Sequence, residues 1–337
     1  MNKKFVATLA LVLLVVVSLS AAPTFSGRFR QGYTFKFDAN GNTTTEWKSE
    51  ESKLVMKFAD DNGLWTVNLK GVGALDSNDK WAANASINFG KALAGAGVDM
   101  GDFTVVGSIG NNGSITMISA YNDVTGNEDH KFKNNGTASV SLTLGYGKLV
   151  KVMAAVDPTN STGGSAPVAK SRSVAVAATT EPVDGVVAGI AYAHNATTDE
   201  KWADKNAING SVNVNVAKLA GLDFNLGVSA FDTYLLDAKK NYLGANVYGG
   251  YADVDAYVEF VMYDQLMGLN TQVAYSGVEN LGLDVYFNIG NFDTVADTIT
   301  VGGDVEYTFG GVTYAMNMEY TTSNKTFALT PKAIINF

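Results

Sequence analysis

Residues 25–37 read FSGRFRQGYTFKF, and alternate letters of this stretch belong to two different chemistries. One set runs Phe, Gly, Phe, Gln, Tyr, Phe, Phe, whereas the other contains Arg28, Arg30 and Lys36. Successive side chains of a β-strand point to opposite faces, so the stretch predicts a strand with an apolar side and a cationic side. In a soluble protein the apolar side would pack a core. In a membrane barrel it would face lipid, and the polar side would line a water-filled lumen.

The N-terminus indicates export. Two lysines precede an apolar run over residues 5–17, and small residues dominate 18–22. A charged segment, an apolar segment and a small-residue zone are typical of a secretory signal peptide. The apolar run is also shorter than the roughly 20 residues that a membrane-spanning helix needs. We therefore expect residues 1–22 to be a signal peptide, cleaved within 20–22.

Composition limits the remaining possibilities. The chain contains no cysteine, which excludes a disulfide framework and any thiolate metal site. Its formal charge of −9 becomes −11 once Lys3 and Lys4 are removed, and this acidity argues against nucleic acid as a partner. It gives only a slight preference for cations over anions. No shift in composition marks a second domain, so we expect residues 23–337 to form one domain.

Period-two alternation of apolar and polar residues recurs along the whole mature chain, with breaks rich in Gly, Asp and Asn. Examples of alternating runs are residues 138–144, 208–216, 283–289 and 312–319. The connectors between runs alternate in length, which is typical of outer-membrane barrels with short periplasmic turns and long external loops. The short connectors are 59–63, 146–148, 217–221, 252–255 and 310–311. The long connectors are 38–50, 122–136, 157–170, 195–206 and 232–241.

The number of strands is decided by the requirement that it be even. About nineteen alternating runs can be counted, but a barrel with both chain ends on the periplasmic side needs an even number. We expect residues 102–121 to form one long strand with a bulge at 111–113, which gives eighteen strands. Sixteen is the nearest alternative. The segment 122–136 then becomes the third external loop.

Three connectors resemble one another, at residues 94–99, 219–223 and 280–284. Each combines small or apolar residues with glycine, ends on aspartate and leads into a strand. We interpret them as recurrent periplasmic hairpin turns.

The last strand alternates up to an aromatic end. Phe327, Leu329, Ala333, Ile335 and Phe337 share one face. This resembles the C-terminal strand of Gram-negative outer-membrane proteins, whose final Phe is similar to the signal read by the barrel-assembly machinery. The resemblance implies that Phe337 serves as an assembly signal.

The mature length of about 315 residues, the early first strand and the long third loop resemble the general porins. That resemblance rests on architecture and implies a homotrimer. In general porins the third loop folds into the barrel and carries acidic residues opposite a basic wall. Asp123, Glu128 and Asp129 occupy the corresponding segment here, together with Lys131 and Lys133. The sequence leaves open whether the loop folds inward.

The alternation also assigns charges to the lumen, because a Lys or Arg facing lipid at mid-membrane costs about 2–4 kcal/mol. The predicted basic pore-lining residues are Arg28, Arg30, Lys36, Lys57, Lys70 and Lys151. The predicted acidic ones are Glu259, Asp284, Asp304, Glu306 and Glu319. This separation predicts a transverse field that tunes ion selectivity. An equally acceptable interpretation is that strand 1 closes beside the last strand, so that Arg28 or Arg30 pairs with Glu319 or its neighbours.

The sequence contains few residues that could act in catalysis or bind a metal. The two histidines, His130 and His194, are too few for a His-based metal cluster, and neither belongs to a recognisable catalytic pattern. We expect no metal, no cofactor and no enzymatic activity.

These observations predict an all-β fold, a transmembrane antiparallel barrel of sixteen to eighteen strands in the outer membrane of a Gram-negative-type bacterium. The expected function is passive diffusion of small hydrophilic solutes and ions. The expected partners are outer-membrane lipid, those solutes and the assembly machinery. The alternative is a barrel without a channel, acting as an adhesin or a structural surface protein.

Overall fold

The computed structural model describes most of the mature chain. The ranges described are 24–49, 53–60, 62–72, 80–111, 115–125, 131–134, 138–157, 173–197, 203–264 and 266–336. The proposed signal peptide, Glu128, Asp129, His130 and Phe337 lie outside these ranges.

The described strands belong to one antiparallel sheet that curls into a ring. β1 (Thr24–Phe37) pairs with β21 (Thr326–Asn336), so the first and last strands close the barrel. The strands of the first half are β2 (Thr43–Ser49), β3 (Lys53–Ala59), β4 (Trp65–Val72), β5 (Lys80–Asn88), β6 (Phe103–Asn111), β7 (Ile115–Thr116), β8 (Lys133–Asn134), β9 (Ala138–Tyr146) and β10 (Val150–Asp157). The others are β11 (Ser173–Val183), β12 (Val186–Thr197), β13 (Ala203–Asn215), β14 (Asn225–Leu235), β15 (Lys240–Tyr251), β16 (Val254–Tyr263), β17 (Leu266–Val278), β18 (Leu281–Ile289), β19 (Ile299–Phe309) and β20 (Val312–Thr321).

Over the described residues the barrel has eighteen strands, which confirms the predicted number. β2 and β3 both pair with β1, at its two ends, and together act as one barrel strand. β7 and β8 are two-residue strands that pair with each other, and β8 also pairs with β12. The expected single strand over 102–121 is wrong, because β6 ends at Asn111 and pairs directly with β9. The residues from Ile115 onward belong to the connector between those two strands.

The end of the barrel that carries the start of β1 and the end of β21 is here called the turn end, and the opposite end the loop end. Two of the three similar connectors at the turn end begin with the last residues of a short helix, a feature that the alternation did not predict. In the described part of the chain, the α-helices at the turn end are α1 (Phe89–Gly95) and α2 (Val216–Ala220). A short 3-10 helix (Phe292–Thr294) and α3 (Val295–Thr298) lie at the loop end. Val216, expected to end a strand, therefore begins α2.

Both turn-end helices begin with the same side-chain cap. The side chains of Asn88 and Asn215 accept hydrogen bonds from the backbone N–H groups of Lys91 and Lys218, as in an N-cap. Each lysine then reaches back to an adjacent turn: Lys91 Nζ donates to the carbonyl of Asn62 at 2.7 Å. Lys218 Nζ lies 2.6 Å from an oxygen of Asp184. Within the described ranges, no helix is long and apolar enough to cross a membrane.

The outward face of the barrel is apolar along its length. Val285, Ile190 and Ile109 expose about three-fifths of their surface there, at 62%, 62% and 59%. Aromatic side chains occupy both ends of this face: Phe103 stacks near Tyr146 at the turn end, with ring centroids 4.8 Å apart. At the loop end the members of this set are Tyr33, Phe37, Trp47, Tyr320 and Phe327. An apolar band between two aromatic girdles is the surface expected of a barrel in lipid.

Candidate functional site

The connector between β6 and β9 folds into the barrel. Its described parts, residues 115–125 and 131–134, are here called the inner loop. β8 of this loop pairs with the loop end of β12, where Asn134 lies opposite Ala196. Met117 and Phe132 are 2% and 3% exposed, so the loop is packed and not projecting into solvent. The sequence left the direction of this loop open, and the structure places it inside.

The inner loop covers one part of the lumen wall, formed by the inward faces of β10–β16 and here called the docked wall. Six inward side chains on β10–β13 are alanines, which leaves room for the loop. Met117 and Phe132 join them in one hydrophobic cluster. The wall residues of the cluster are Met153, Ala155, Ala175, Ala177, Ala191, Ala193, Ala207, Phe231, Leu235 and Tyr242.

Serine hydroxyls of the docked wall accept hydrogen bonds from backbone N–H groups of the loop. The N–H of Ala120 donates to Ser211 Oγ at 3.0 Å, and the N–H of Asn122 donates to Ser229 Oγ at 2.8 Å. Asn246 Nδ2 donates to the carbonyl of Asn122 at 2.9 Å. A buried backbone group needs such partners, because leaving it unpaired costs about 1–3 kcal/mol. These bonds therefore fix the position of the loop along the wall.

Tyr121 attaches the loop to a buried carboxylate of the docked wall. Its hydroxyl donates to a carboxylate oxygen of Glu259, a residue with no exposed surface, and accepts from Asn246 Nδ2 at 2.8 Å. Asn270 Nδ2 donates to the other oxygen of Glu259 at 2.9 Å. Burial, followed by the bond to the Glu259 carboxylate, raises the pKa of the Tyr121 phenol above its ordinary value. Glu259, predicted to line the pore, thus holds the loop in place.

Most of the remaining lumen surface, namely the inward faces of β17–β21 and β1–β5, is here called the open wall. Lys57 and Asn84 point inward from it and are nevertheless exposed. Ser229, Asn246 and Glu259 on the docked wall are buried by contrast. Solvent in the barrel therefore lies along the open wall.

Carboxylates gather on three neighbouring strands of the open wall. Asp284 lies directly opposite Asp304, and Glu306 follows two residues later on the same face of β19. Asn317 Nδ2 donates to Asp304 Oδ2 at 3.2 Å, and the Tyr286 hydroxyl donates to Glu319 Oε2 at 2.9 Å. Like charges that face each other are unfavourable unless water or cations screen them. The arrangement produces a negative potential on this side of the lumen.

The basic residues are spread more widely than the acidic ones. Arg28 and Arg30 lie on β1 near the turn end, opposite Asn336 and Ile334. Lys57 lies one strand further on, and Lys151 lies on β10 near the turn end of the docked wall. The structure does not describe the side chain of Lys70, whose backbone lies opposite Val55.

Lys36 already has a partner. Its ammonium group lies 2.9 Å from Glu46 Oε2 on β2. Both side chains are exposed, so the pair contributes little stability but reduces the free positive charge. Next to it a polar recess of about 460 Å³ is lined by residues of β1, β20 and β21, including Thr34, Glu319 and Lys332.

The interpretation that Arg28 or Arg30 pairs with Glu319 or its neighbours is wrong for the pair formed by Arg28 and Glu319. Glu319 lies opposite Ala328 on β21, whereas Arg28 lies opposite Asn336, eight residues further along that strand. Eight residues of strand correspond to about 26 Å. The two charges therefore lie near opposite ends of the barrel.

Asp123 is the one described residue of the predicted acidic loop set. Its Oδ1 accepts from the N–H of Thr125 at 3.2 Å and from the Thr125 hydroxyl at 2.9 Å. It lies immediately after Tyr121 and Asn122, at the point where the loop meets the lumen.

Comparison with solved structures identifies the architecture. OccK2 (OpdF) of Pseudomonas aeruginosa superposes with a TM-score of 0.59 at 9% identity, over 94% of this chain and 97% of its own. OpdQ of the same organism gives 0.58 at 10% identity, over 94% and 98%. The fold is the porin barrel. This confirms the predicted fold, a closed antiparallel β-barrel. At such identities the likeness concerns the fold alone.

A third structure, OccK8 (OprE) of Pseudomonas aeruginosa, matches the porin barrel with a TM-score of 0.54 at 9% identity, over 94% of this chain and 98% of its own. No protein-family model and no curated protein matches the sequence.

The alternation did not reveal the residues that hold the inner loop, namely Tyr121, Ser211, Ser229, Asn246 and Asn270. One signal was available in the sequence. Six inward positions of β10–β13 carry alanine, and each of these alanines is at most 4% exposed. Small apolar residues facing an aqueous lumen indicate that something else covers them.

Proposed function

We propose that this chain is an outer-membrane channel for passive diffusion of small hydrophilic solutes and ions in a Gram-negative-type bacterium. The observation that carries the proposal is the contrast between an apolar outward face and a polar, accessible open wall. A closed ring satisfies backbone hydrogen bonds within the sheet, so the wall can cross lipid while its inner face stays wet. A barrel of this strand number encloses enough space for an aqueous channel.

The inner loop narrows the path in this proposal. It occupies the space beside the docked wall, so solutes pass between the loop and the open wall. The proposed acidic lining comprises Asp284, Asp304, Glu306 and Glu319, with Asp123, Glu128 and Asp129 on the loop side. The proposed basic lining comprises Arg28, Arg30, Lys57, Lys70 and Lys151, with Lys36 largely neutralised by Glu46. Glu259 is assigned to holding the loop, since it is fully buried.

Clustering of the acidic set supports a preference for cations. Three carboxylates lie on two adjacent strands, and the net charge of the chain is negative. Such a surface raises the local concentration of cations and lowers that of anions. The proposal requires no cofactor and no metal.

Assembly is proposed along the lines that the porin fold suggests. Residues 1–22 direct export, Phe337 is read by the barrel-assembly machinery, and three copies associate in the membrane. The mass of the detergent-solubilised protein, measured by light scattering, tests the trimer. A Phe337→Ser variant should accumulate at a reduced level in the outer membrane if the assembly signal is correct.

Planar-bilayer recording tests the channel directly. Purified, folded protein should insert with stepwise increases in conductance that are stable in time. A folded protein that inserts without any conductance would contradict the proposal and favour an adhesin or structural role.

A further inference from the structure

A cavity of about 370 Å³ lies between the inner loop and the turn end of the wall. This volume is within the range of small-molecule pockets, roughly 300–1,000 Å³. Besides Val124, Gly249, Ala256 and Ala274, its lining is polar and aromatic, unlike the alanine-rich surface that the loop covers. The side chains that matter are those of Asn122, Asn225, Tyr248, Asp255, Tyr257 and Gln272.

Tyr248 lies flat against the lumen wall. Its hydroxyl donates to Asn213 Oδ1 at 2.9 Å, on a strand two places away from its own. Neighbouring strands are about 4.8 Å apart, so the ring must run along the wall to reach that partner. It crosses β14 at Gly227, where any side chain would collide with the ring. The hydroxyl end of the ring therefore lies over Gly227, and the ring also lines the cavity.

Hydrogen-bonding groups surround this ring. Tyr257 lies directly opposite Tyr248, and Gln272 lies directly opposite Tyr257, all on the inward face. Asn225 and Asp255 lie closer to the turn end, both opposite Gly250, whose missing side chain leaves space for the Asp255 carboxylate. The cavity thus combines a fixed aromatic face with amide and carboxylate groups at its edge.

This combination matches a pyranose sugar. Such a ring carries C–H groups on its flat face and hydroxyls around its rim. The C–H face packs against an aromatic ring, and the hydroxyls donate to carboxylates and exchange hydrogen bonds with amides. The single carboxylate in the cavity makes an anionic ligand unfavourable. The flat tyrosine gives no advantage to an open-chain solute.

We propose that this cavity is a binding subsite for a neutral hexopyranose on the diffusion path. The proposal rests on the channel function and names one class of solute that the channel retains briefly. Tyr248 is the stacking platform, and Gln272, Asn225 and Asp255 hold the hydroxyls.

The test uses single-channel recording of the full mature protein in the presence of D-glucose. Sorbitol, which has the same number of carbons but no ring, serves as the matched probe for viscosity and volume. Glucose should produce reversible, concentration-dependent current noise that sorbitol does not produce. Tyr248→Leu should weaken the apparent glucose affinity about fivefold, the order expected for loss of aromatic packing. Gln272→Leu, which preserves size, should also weaken it.

Tyr314→Leu is the control variant, because Tyr314 is exposed on the outward face of β20 and 54% of its surface is accessible. Its response to glucose should equal that of the wild type. Equal effects of glucose and sorbitol on the wild type, or an unchanged glucose response in both Tyr248→Leu and Gln272→Leu, would overturn the subsite. Absence of any salt conductance would instead overturn the channel itself, so the two failures are distinguishable.

Discussion

The docked wall and the open wall share one backbone geometry and differ in what their inward side chains face. On the docked wall, Ala175, Ala193 and Ala207 have no exposed surface, because the inner loop packs on them. On the open wall, Asp284 and Asp304 lie opposite each other and are partly exposed. The same inward positions of a strand therefore serve as a hydrophobic core in one part of the barrel and as a channel lining in the other.

This difference shows that inward orientation alone does not make a residue pore-lining. Glu259 and Glu319 both point inward and both were assigned to the lumen from alternation. Glu259 lies beneath the inner loop, bound by Tyr121 and Asn270. Glu319 borders the polar recess near the seam. Their roles differ because one wall is covered and the other is not.

The largest effect should come from adding the same bulky residue to each wall. Ala193→Trp places an indole beneath the inner loop, where the closely packed cluster cannot accept it. The loop should detach, and single-channel conductance should rise roughly twofold as the docked side opens to ions. Ala328→Trp places the indole on the open wall, where it should reduce conductance. Planar-bilayer recording measures both.

The critical outcome is that single-channel conductance rises in Ala193→Trp and falls in Ala328→Trp. A decrease for both would mean that the loop stays in place or that the two walls are equally wet. Heat-modifiable gel mobility should first confirm that each variant is folded.

The second effect concerns ion selectivity, which should depend on the open wall. Asp284→Asn combined with Asp304→Asn should lower the cation-to-anion permeability ratio about threefold, since it removes the densest negative charge. Arg28→Gln combined with Arg30→Gln should raise the ratio. Reversal potentials in a salt gradient measure both changes, which should shrink at 1 M salt through screening.

An unchanged reversal potential in the Asp284/Asp304 double variant would place the permeation path away from this part of the wall. Asp184→Asn at a turn, outside the lumen, is the matched control for loss of one carboxylate.

A smaller effect should follow from weakening the attachment of the loop. Tyr121→Phe removes the phenol that donates to Glu259, a hydrogen bond to a charged group worth about 1.5–3 kcal/mol. The free energy of unfolding should fall by that order, and current fluctuations of the open channel should increase. Tyr192→Phe is the control, because the Tyr192 hydroxyl donates at 2.9 Å to a neutral amide, that of Asn206. Equal losses of stability in the two variants would argue against a special attachment at Glu259.

The smallest effect should be the pH dependence of the stability that the hydrogen bond between Tyr121 and Glu259 contributes. The pKa of Tyr121 is raised by burial and by Glu259, so the folded protein holds the protonated phenol. This contribution to stability is complete below about pH 10, the ordinary tyrosine pKa, and is lost as the pH rises above it. The difference in absorbance at 295 nm between wild type and Tyr121→Phe should report an ionisation above pH 10. A difference titration centred at or below pH 10 would contradict the buried contact.

Much of the fold was predictable because alternation is a local property. Residues 25–37 became β1 with the expected faces, and the eighteen-strand count was correct. The assignment of residues 102–121 to one strand, which led to that count, was wrong, however. Residues 115–121 alternate in the same way as a strand but dock inside the barrel, because the wall offers them serine hydroxyls and an alanine surface. No pattern within those residues distinguishes the two outcomes.

The sequence by itself determined the class of fold, the two faces of each strand and the inward position of most charges, since each depends on neighbouring residues along one strand. Only the tertiary structure decided which inward residues meet water. That decision requires contacts between segments far apart in the chain, such as Tyr121 with Glu259 and Ala120 with Ser211. The same holds for Arg28 and Glu319, whose separation follows from the register of β1, β21 and β20 and not from the residues themselves.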